Sequence, residues 1–246
     1  MLALIDADIL LYRIGYTTEN VGPDLAKIRM DEAIDGILTD LSTEEYRLYV
    51  SPMKAMTFRH EIFPDYKAKR TQPKPLYFHV LRDYLFEEHP TICAQEEEAD
   101  DAIGQASGAL SEGYWKALEN HVLPLTEEPI VVSIDKDLDQ IEGWHYNFVK
   151  QKTYHISPLE GLGHFYQQLL IGDSVDNIPG VRGIGPVKAA KLIAPATTEL
   201  LMYEVVKDLY PSAELLKRTA DLLWIRKHNR KEWFPPTNDS AGEANA

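Results

Sequence analysis

Apolar residues along this chain follow two patterns, short unbroken runs that stop at an aspartate and longer stretches in which they return every three or four positions. Residues 2–5 form an unbroken run ending in Asp6, and residues 129–134, PIVVSI, end in Asp135. Runs of this length read as strands buried on both faces, so each delivers an acid at its C-terminal end, and residues 46–50 read as a further strand. The apolar character resumes at residues 9–12, which would put Asp6 and Asp8 on one face, although the plainer role for Asp8 is a strand-end turn. Helical spacing predicts helices over residues 24–41 and 76–86, and from the acidic stretch at 95–101 onward to 110. The aromatics of residues 141–155 fit short strands or a hairpin serving the core. After Ser157 the pattern is helical, through 172–193, then 200–209 and 213–225. This order predicts an α/β fold, with a parallel-sheet core over residues 1–156, a helical module over 157–234 and a polar, disordered tail over 235–246.

Acids gather at four separated places. Asp135 and Asp137 alternate onto one face at a strand end, where open α/β sheets place their sites, and Asp6 ends the other run. In QEEEADDAIG, Glu98 and Asp101 are three apart with Asp100 beside them. One or two acids complement the dipole of a first helical turn, whereas four within five residues exceed that need. Residues 172–193, GDSVDNIPGVRGIGPVKAAKLI, pair Asp173 with Asp176. On a helix end these two would repel unless a cation held them. Gly180, Gly183 and Gly185 follow, before a helix expected near Pro186 whose free N–H groups, with Lys188, suit a phosphate. Alone, this stretch reads equally well as a capped helix-turn-helix corner. Carboxylate oxygen without grouped His or Cys suits Mg²⁺ or Mn²⁺.

Composition changes the picture in two respects. At 246 residues and 44% hydrophobic, the chain can bury a full core, and its single cysteine, Cys93, excludes an internal disulfide. With no basic leader and no apolar run of membrane-spanning length, the expected setting is the cytoplasm without a membrane. The formal charge of −14 argues against nucleic acid until its distribution is considered. Lys54, Arg59, Lys67, Lys69, Arg70, Lys74 and Arg82 form a basic interval in an acidic chain. A basic run is more often a solvated face. Within YKAKR, however, Tyr66 offers a stacking surface and Lys67 and Arg70, three apart, can reach one phosphate.

Taken together, LIDADILLYR, FPDYKAKR, EADDAIG, VVSIDKDLDQI and residues 172–193 resemble the flap-endonuclease family of structure-specific 5′ nucleases. The similarity is greatest to bacteriophage 5′–3′ exonucleases and the 5′ nuclease domain of bacterial DNA polymerase I, and it runs in order over residues 1–193. The resemblance implies a PIN-like parallel-sheet nuclease core with a helix-three-turn-helix module that holds duplex DNA by its backbone. It implies a first metal group of Asp6, Glu98, Asp100 and Asp135 and a second of Asp101, Asp137, Asp173 and Asp176, binding two or more Mg²⁺ or Mn²⁺ ions. Lys67 and Arg70 would act on the scissile phosphate beside Asp135, with Lys69 in the same basic segment. Tyr66 would line the DNA path, and Gly180, Gly183, Gly185 and Lys188 would bind phosphates, with K⁺ as an optional bridge.

The implied activity is two-metal phosphodiester hydrolysis near 5′ ends of duplex DNA, at nicks, gaps or short flaps and extending to RNA–DNA hybrids, by a monomer that leaves 5′-phosphates. Two departures qualify it. Many relatives place an aspartate after the second strand, where this chain reads VSPMKAM, and the interval between YKAKR and EADD leaves room for only a small arch. Competing readings are a PIN-like endoribonuclease, which would not need the helix-three-turn-helix, and a non-catalytic binder of DNA ends.

Overall fold

The computed structural model describes residues 1–53, 57–120, 122 and 127–237. Lys54 of the basic interval and residues 238–246 of the expected tail lie outside them. Strand β1 (Leu2–Asp6) is buried throughout and leads directly into helix α1 (Ala7–Thr18), followed by α2 (Pro23–Leu41) and β2 (Tyr46–Val50). The apolar residues after Asp6 are therefore helical, and Asp8 lies in the first turn of α1 rather than on the strand. Next come α3 (Phe58–Ile62), α4 (Phe78–Glu88), β3 (Thr91–Cys93) and α5 (Ala99–Glu119). Strand β3 is too short, and too weakly apolar at half-exposed Thr91 and Cys93, to stand out in the sequence pattern. Strand β4 (Pro129–Val132), a 3₁₀ turn (Asp137–Gln140) and the hairpin of β5 (Gly143–Asn147) and β6 (Lys152–Ile156) complete the sheet.

The strand order is β3-β2-β1-β4-β5-β6, with every pairing parallel except that of β6. Neighbouring connections leave β1 toward β2 on one side, and β4 pairs on the other. The C-terminal ends of β1 and β4 thus flank the point where the order reverses, the crevice in which open sheets hold ligands. Alternation fixes the two faces. Ala3 and Ile5 pack with Leu10, Met30 and Leu81 beneath α1, α2 and α4, whereas Leu2 and Leu4 pack with Ala99 and Ile103 of α5. Covering both faces makes the strands uniformly apolar, the signal visible in residues 2–5.

Four helices build a second core, α6 (Pro158–Ile171), α7 (Pro186–Ile193), α8 (Glu199–Lys207) and α9 (Ala213–Leu223), around Phe165, Tyr166, Leu169, Met202, Trp224 and Trp233. Ser157 starts α6 with a capping box closed by Glu160, and Thr198 and Ser212 cap α8 and α9. Between α6 and α7 the chain forms a two-strand ladder, β7 (Gly172–Asp173) and β8 (Ile178–Pro179). Asp173 consequently ends β7 and Asp176 lies in the turn that leads to β8, and neither is on a helix end. Beyond α9 the chain returns to the sheet, where Ile225 joins the α5 core. Among the described residues, no helix is long and apolar enough to cross a membrane.

Candidate active site

Side chains at the ends of β1 and β4 are tied to each other. The Ser133 hydroxyl donates to Asp6 Oδ2 at 3.0 Å and accepts the Asp135 N–H at 3.0 Å. Asp135 Oδ1 in turn accepts the Asp137 N–H, which sets the start of the 3₁₀ turn. Burial and then the charge of Asp8 raise the pKa of Asp6, against the hydrogen bond from Ser133. Asp100, on the first turn of α5, is raised well above the carboxylate range by burial and then by Asp6, Glu98 and Asp135. Asp137 is pushed up to about 7 by burial and then by Asp135, Asp173 and Asp176. These acids feel one another as a single concentrated negative field.

The basic segment answers that field from the opposite side. Lys67 takes the left-handed conformation, with φ of 59°, and its N–H donates to the Asp176 carbonyl at 3.1 Å, fastening YKAKR to the turn after α6. Lys67 Nζ is ion-paired with Glu98 and stands 3.8 Å from Asp176 Oδ2. Arg70 donates to Asp176 Oδ1 from Nε at 2.9 Å and Nη2 at 2.5 Å. Burial alone would raise the pKa of Glu98, but Lys67 and then Arg59 hold it below the ordinary value. Lys69 is exposed.

Three expected site residues have other duties. Tyr66 is 4% exposed and its hydroxyl donates to Glu98 Oε2 and Asp176 Oδ2, so its ring is packed in the helical core and has no free face for a base. Asp101 is fully buried and is not part of the cavity lining. It meets Arg59 through Nη1–Oδ2 at 2.5 Å and Nη2–Oδ1 at 2.9 Å, and it accepts N–H groups from Arg226 and Glu98. Asp101 is the third helical residue after Glu98, the capping-box position, and that spacing is the signal that identifies its role. Arg59 accordingly leaves the basic surface. Gly180 is held by close packing, since a Cβ there would lie 2.2 Å from the Ile171 carbonyl carbon. Gly183, at φ 79°, and Gly185 adjoin open space, and Lys188 is exposed.

A cavity of about 620 Å³ opens over the sheet edge, lined by Asp6, Asp8, Glu98, Asp100 and Asp135 and faced by Lys67 and Arg70. Asp137, Asp173 and Asp176 lie beside it rather than in its lining. Asp173 Oδ1 accepts N–H groups from Val175 and Asp176, the local turn bonding expected of such a residue. All-oxygen donors and mutual repulsion suit a hard divalent cation. Among the described residues, however, no three acidic, His or Cys side chains converge closely enough to hold one as they stand, and Glu98 and Asp176 are turned to Lys67, Arg70 and Tyr66. Cation binding at this site therefore requires these carboxylates to exchange partners. Asp8 and Arg82 line the cavity without having been marked as site residues by the sequence pattern.

The strand order defines an α/β fold with a mostly parallel central sheet, and the acids stand at the C-terminal ends of its strands. The bacteriophage T5 flap endonuclease, in a pseudo-enzyme-product complex with DNA and metal ions, superposes with a TM-score of 0.64 at 20% identity, over 90% of this chain and 88% of that one. A 5′–3′ exonuclease of Buchnera aphidicola is 27% identical over 236 residues, covering 87% of this chain and 74% of that protein. DNA polymerase I of Pseudomonas aeruginosa is 29% identical over 216 residues, 78% of this chain, and the chain spans only 22% of that polymerase. No protein-family model matches. A flap endonuclease of Shewanella pealeana is 33% identical over 175 residues, 65% of this chain and 60% of that protein, so the resemblance holds in sequence to proteins named 5′–3′ exonuclease, flap endonuclease and DNA polymerase I, and the fold is that of the T5 nuclease.

Proposed function

We propose that this chain is a divalent-metal-dependent 5′–3′ exonuclease and structure-specific 5′ nuclease that hydrolyses phosphodiester bonds near the 5′ ends of duplex DNA and leaves 5′-phosphates. The observation that carries this reading is the facing arrangement of strand-end carboxylates and the Lys67–Arg70 segment across one cavity. Two Mg²⁺ or Mn²⁺ ions would supply Lewis-acid stabilisation and an activated water for in-line attack. Asp6, Glu98, Asp100 and Asp135 would hold one ion, and Asp137, Asp173 and Asp176 would hold the other directly or through water.

The present ion pairs suggest how the cations of the chain enter the reaction. Were Glu98 and Asp176 to hold metal, Lys67 Nζ and the Arg70 guanidinium would lose their partners and would be free to take the scissile phosphate. Their attraction then grows as charge develops in the transition state. Duplex backbone would rest on Gly183, Gly185 and Lys188, where open backbone and a helix N-terminus favour phosphate, and K⁺ would bridge there if required. Asp173 and Asp176 lie in the same loop between α6 and α7, which would set the distance between the grip and the cut.

From Arg70 the chain crosses directly to α4. Tyr16 donates to the Pro73 carbonyl at 2.5 Å, and Pro75 lies against Gly15, so the crossing is short and pinned to α1. This favours recessed, blunt, nicked or short-flapped ends, RNA–DNA hybrids included, over long threaded flaps. The test compares 5′-labelled and 3′-labelled duplexes with Mg²⁺ and with EDTA, alongside Asp135→Asn. We expect the 5′ label to be released first, only with Mg²⁺ and not by the variant. Cleavage in EDTA, or release of the 3′ label first, overturns the reading, and preference for single-stranded RNA would assign an endoribonuclease.

A further inference from the structure

We propose that Asp8 is an additional metal-holding carboxylate, supplied from α1 to the end of β2, a strand that brings no acid of its own. The inference rests on the metal-dependent reading above. The sheet edge is organised by β1 with its two neighbours: β1 ends in Asp6, and the chain leaving β4 carries Asp135. On the other side, β2 runs into Ser51, Pro52 and Met53, and no acid occurs between Glu45 and Glu61. Tyr49 is the register partner of Asp6, and Ser51 lies two residues beyond it. The Ser51 N–H donates to Asp8 Oδ2 at 2.9 Å, which places the Asp8 carboxylate at the end of β2.

Two further observations separate Asp8 from an ordinary first-turn acid. It lines the same cavity as Asp6, Glu98, Asp100 and Asp135, and its charge is the one that acts most strongly on Asp6. Arg82 and Lys67 lie near enough to favour its charged form, yet among the described residues neither forms an ion pair with it. Lys67 pairs with Glu98, and Arg82 reaches Cys93 Sγ and the ring of Phe86. The bond from Ser51 fixes one carboxylate oxygen and orients the group over the cavity, which is the arrangement of a ligand held by a backbone donor.

The test titrates Mn²⁺ into the full chain, followed by calorimetry, for the wild type, Asp8→Asn and Asp135→Asn, with thermal melting of each in EDTA. Asn retains an acceptor for the Ser51 N–H. We expect Asp8→Asn to weaken Mn²⁺ binding on the order of 10-fold or more, while its melting temperature in EDTA stays level or rises. Unchanged Mn²⁺ affinity and stoichiometry in Asp8→Asn, with binding weakened in Asp135→Asn, overturns the role of Asp8 and leaves the metal-dependent reading intact. A lower melting temperature in EDTA with unchanged affinity would make Asp8 a helix and turn residue only. If the wild type binds no Mn²⁺, both the metal reading and this proposal fall.

Discussion

Asp100 and Asp101 are adjacent on the first turn of α5, yet they belong to opposite kinds of region. Beneath the helix, Asp101 is completely enclosed and every interaction around it is matched: a two-pronged pair with Arg59 and N–H groups from Glu98 and Arg226. Above it, Asp100 faces Asp6, Glu98 and Asp135, all acids, and is driven toward its protonated form. Arg59 further donates to the carbonyls of Leu222 and Trp224, so this pair clamps the end of α9 to α3 and α5. Charges that fully satisfy each other hold the fold, whereas charges left in mutual conflict mark the place where something else must bind.

The comparison breaks most visibly in stability. Asp101→Asn leaves Arg59 charged and underpaired in the interior, and the expected cost is about 3–5 kcal/mol in denaturant unfolding. Asp100→Asn should cost nothing at neutral pH and even stabilise the metal-free protein. The sign follows from linkage: an acid whose native pKa is raised favours folding while protonated, and that contribution is lost as pH rises through the native value. Equal losses for the two variants would mean that the two faces of α5 do not differ as the geometry states.

A catalytic contrast sharpens the same division. Arg59 and Lys67 both contact acids of this region, but Lys67 is the one on the cavity side, partly exposed and paired with Glu98. Lys67→Ala should lower the single-turnover cleavage rate about 10²–10³-fold, near 2.7–4 kcal/mol, with little change in DNA binding. Full single-turnover activity in Lys67→Ala would remove Lys67 from the chemistry. A loss matched by weaker DNA binding would make it a binding residue alone.

Most of the frame was legible in the chain because its signals are local. A doubly covered strand is apolar at every position, so β1 and β4 announced themselves, together with the acids that end or follow them. Helical spacing marked α2 and α5 and the helical character after Ser157. What the pattern did not show were directions and long-range partners. Nothing in the local sequence of EADD tells which carboxylate points outward, since that depends on Arg59, 42 positions earlier. Tyr66 looked like a surface aromatic because basic residues surround it, yet its hydroxyl bridges Glu98 and Asp176 from within the second core. Asp8 was read as a turn residue because its apolar neighbours continue the strand pattern, and the switch to α1 changes where its carboxylate goes.

The smallest expected effect concerns the loop between α6 and α7. Between the two glycines whose added Cβ would meet backbone and the two that adjoin open space, the turn after α6 changes from internal packing to exposed surface. Lys188 lies on the exposed part, in the first turn of α7, where a phosphate would gain from its charge and from free N–H groups together. Neutralising one phosphate contact reduces binding almost uniformly across sequences and lowers the slope of log affinity against log salt by about 1. Lys188→Ala should therefore bind duplex DNA more weakly at low salt, converge on the wild type as salt rises, and leave cleavage of bound DNA unchanged under single-turnover conditions. An unchanged salt slope would take Lys188 out of the proposed backbone grip, whereas a slower step on bound DNA would show that the turn and the proposed metal ligands Asp173 and Asp176 act as one unit.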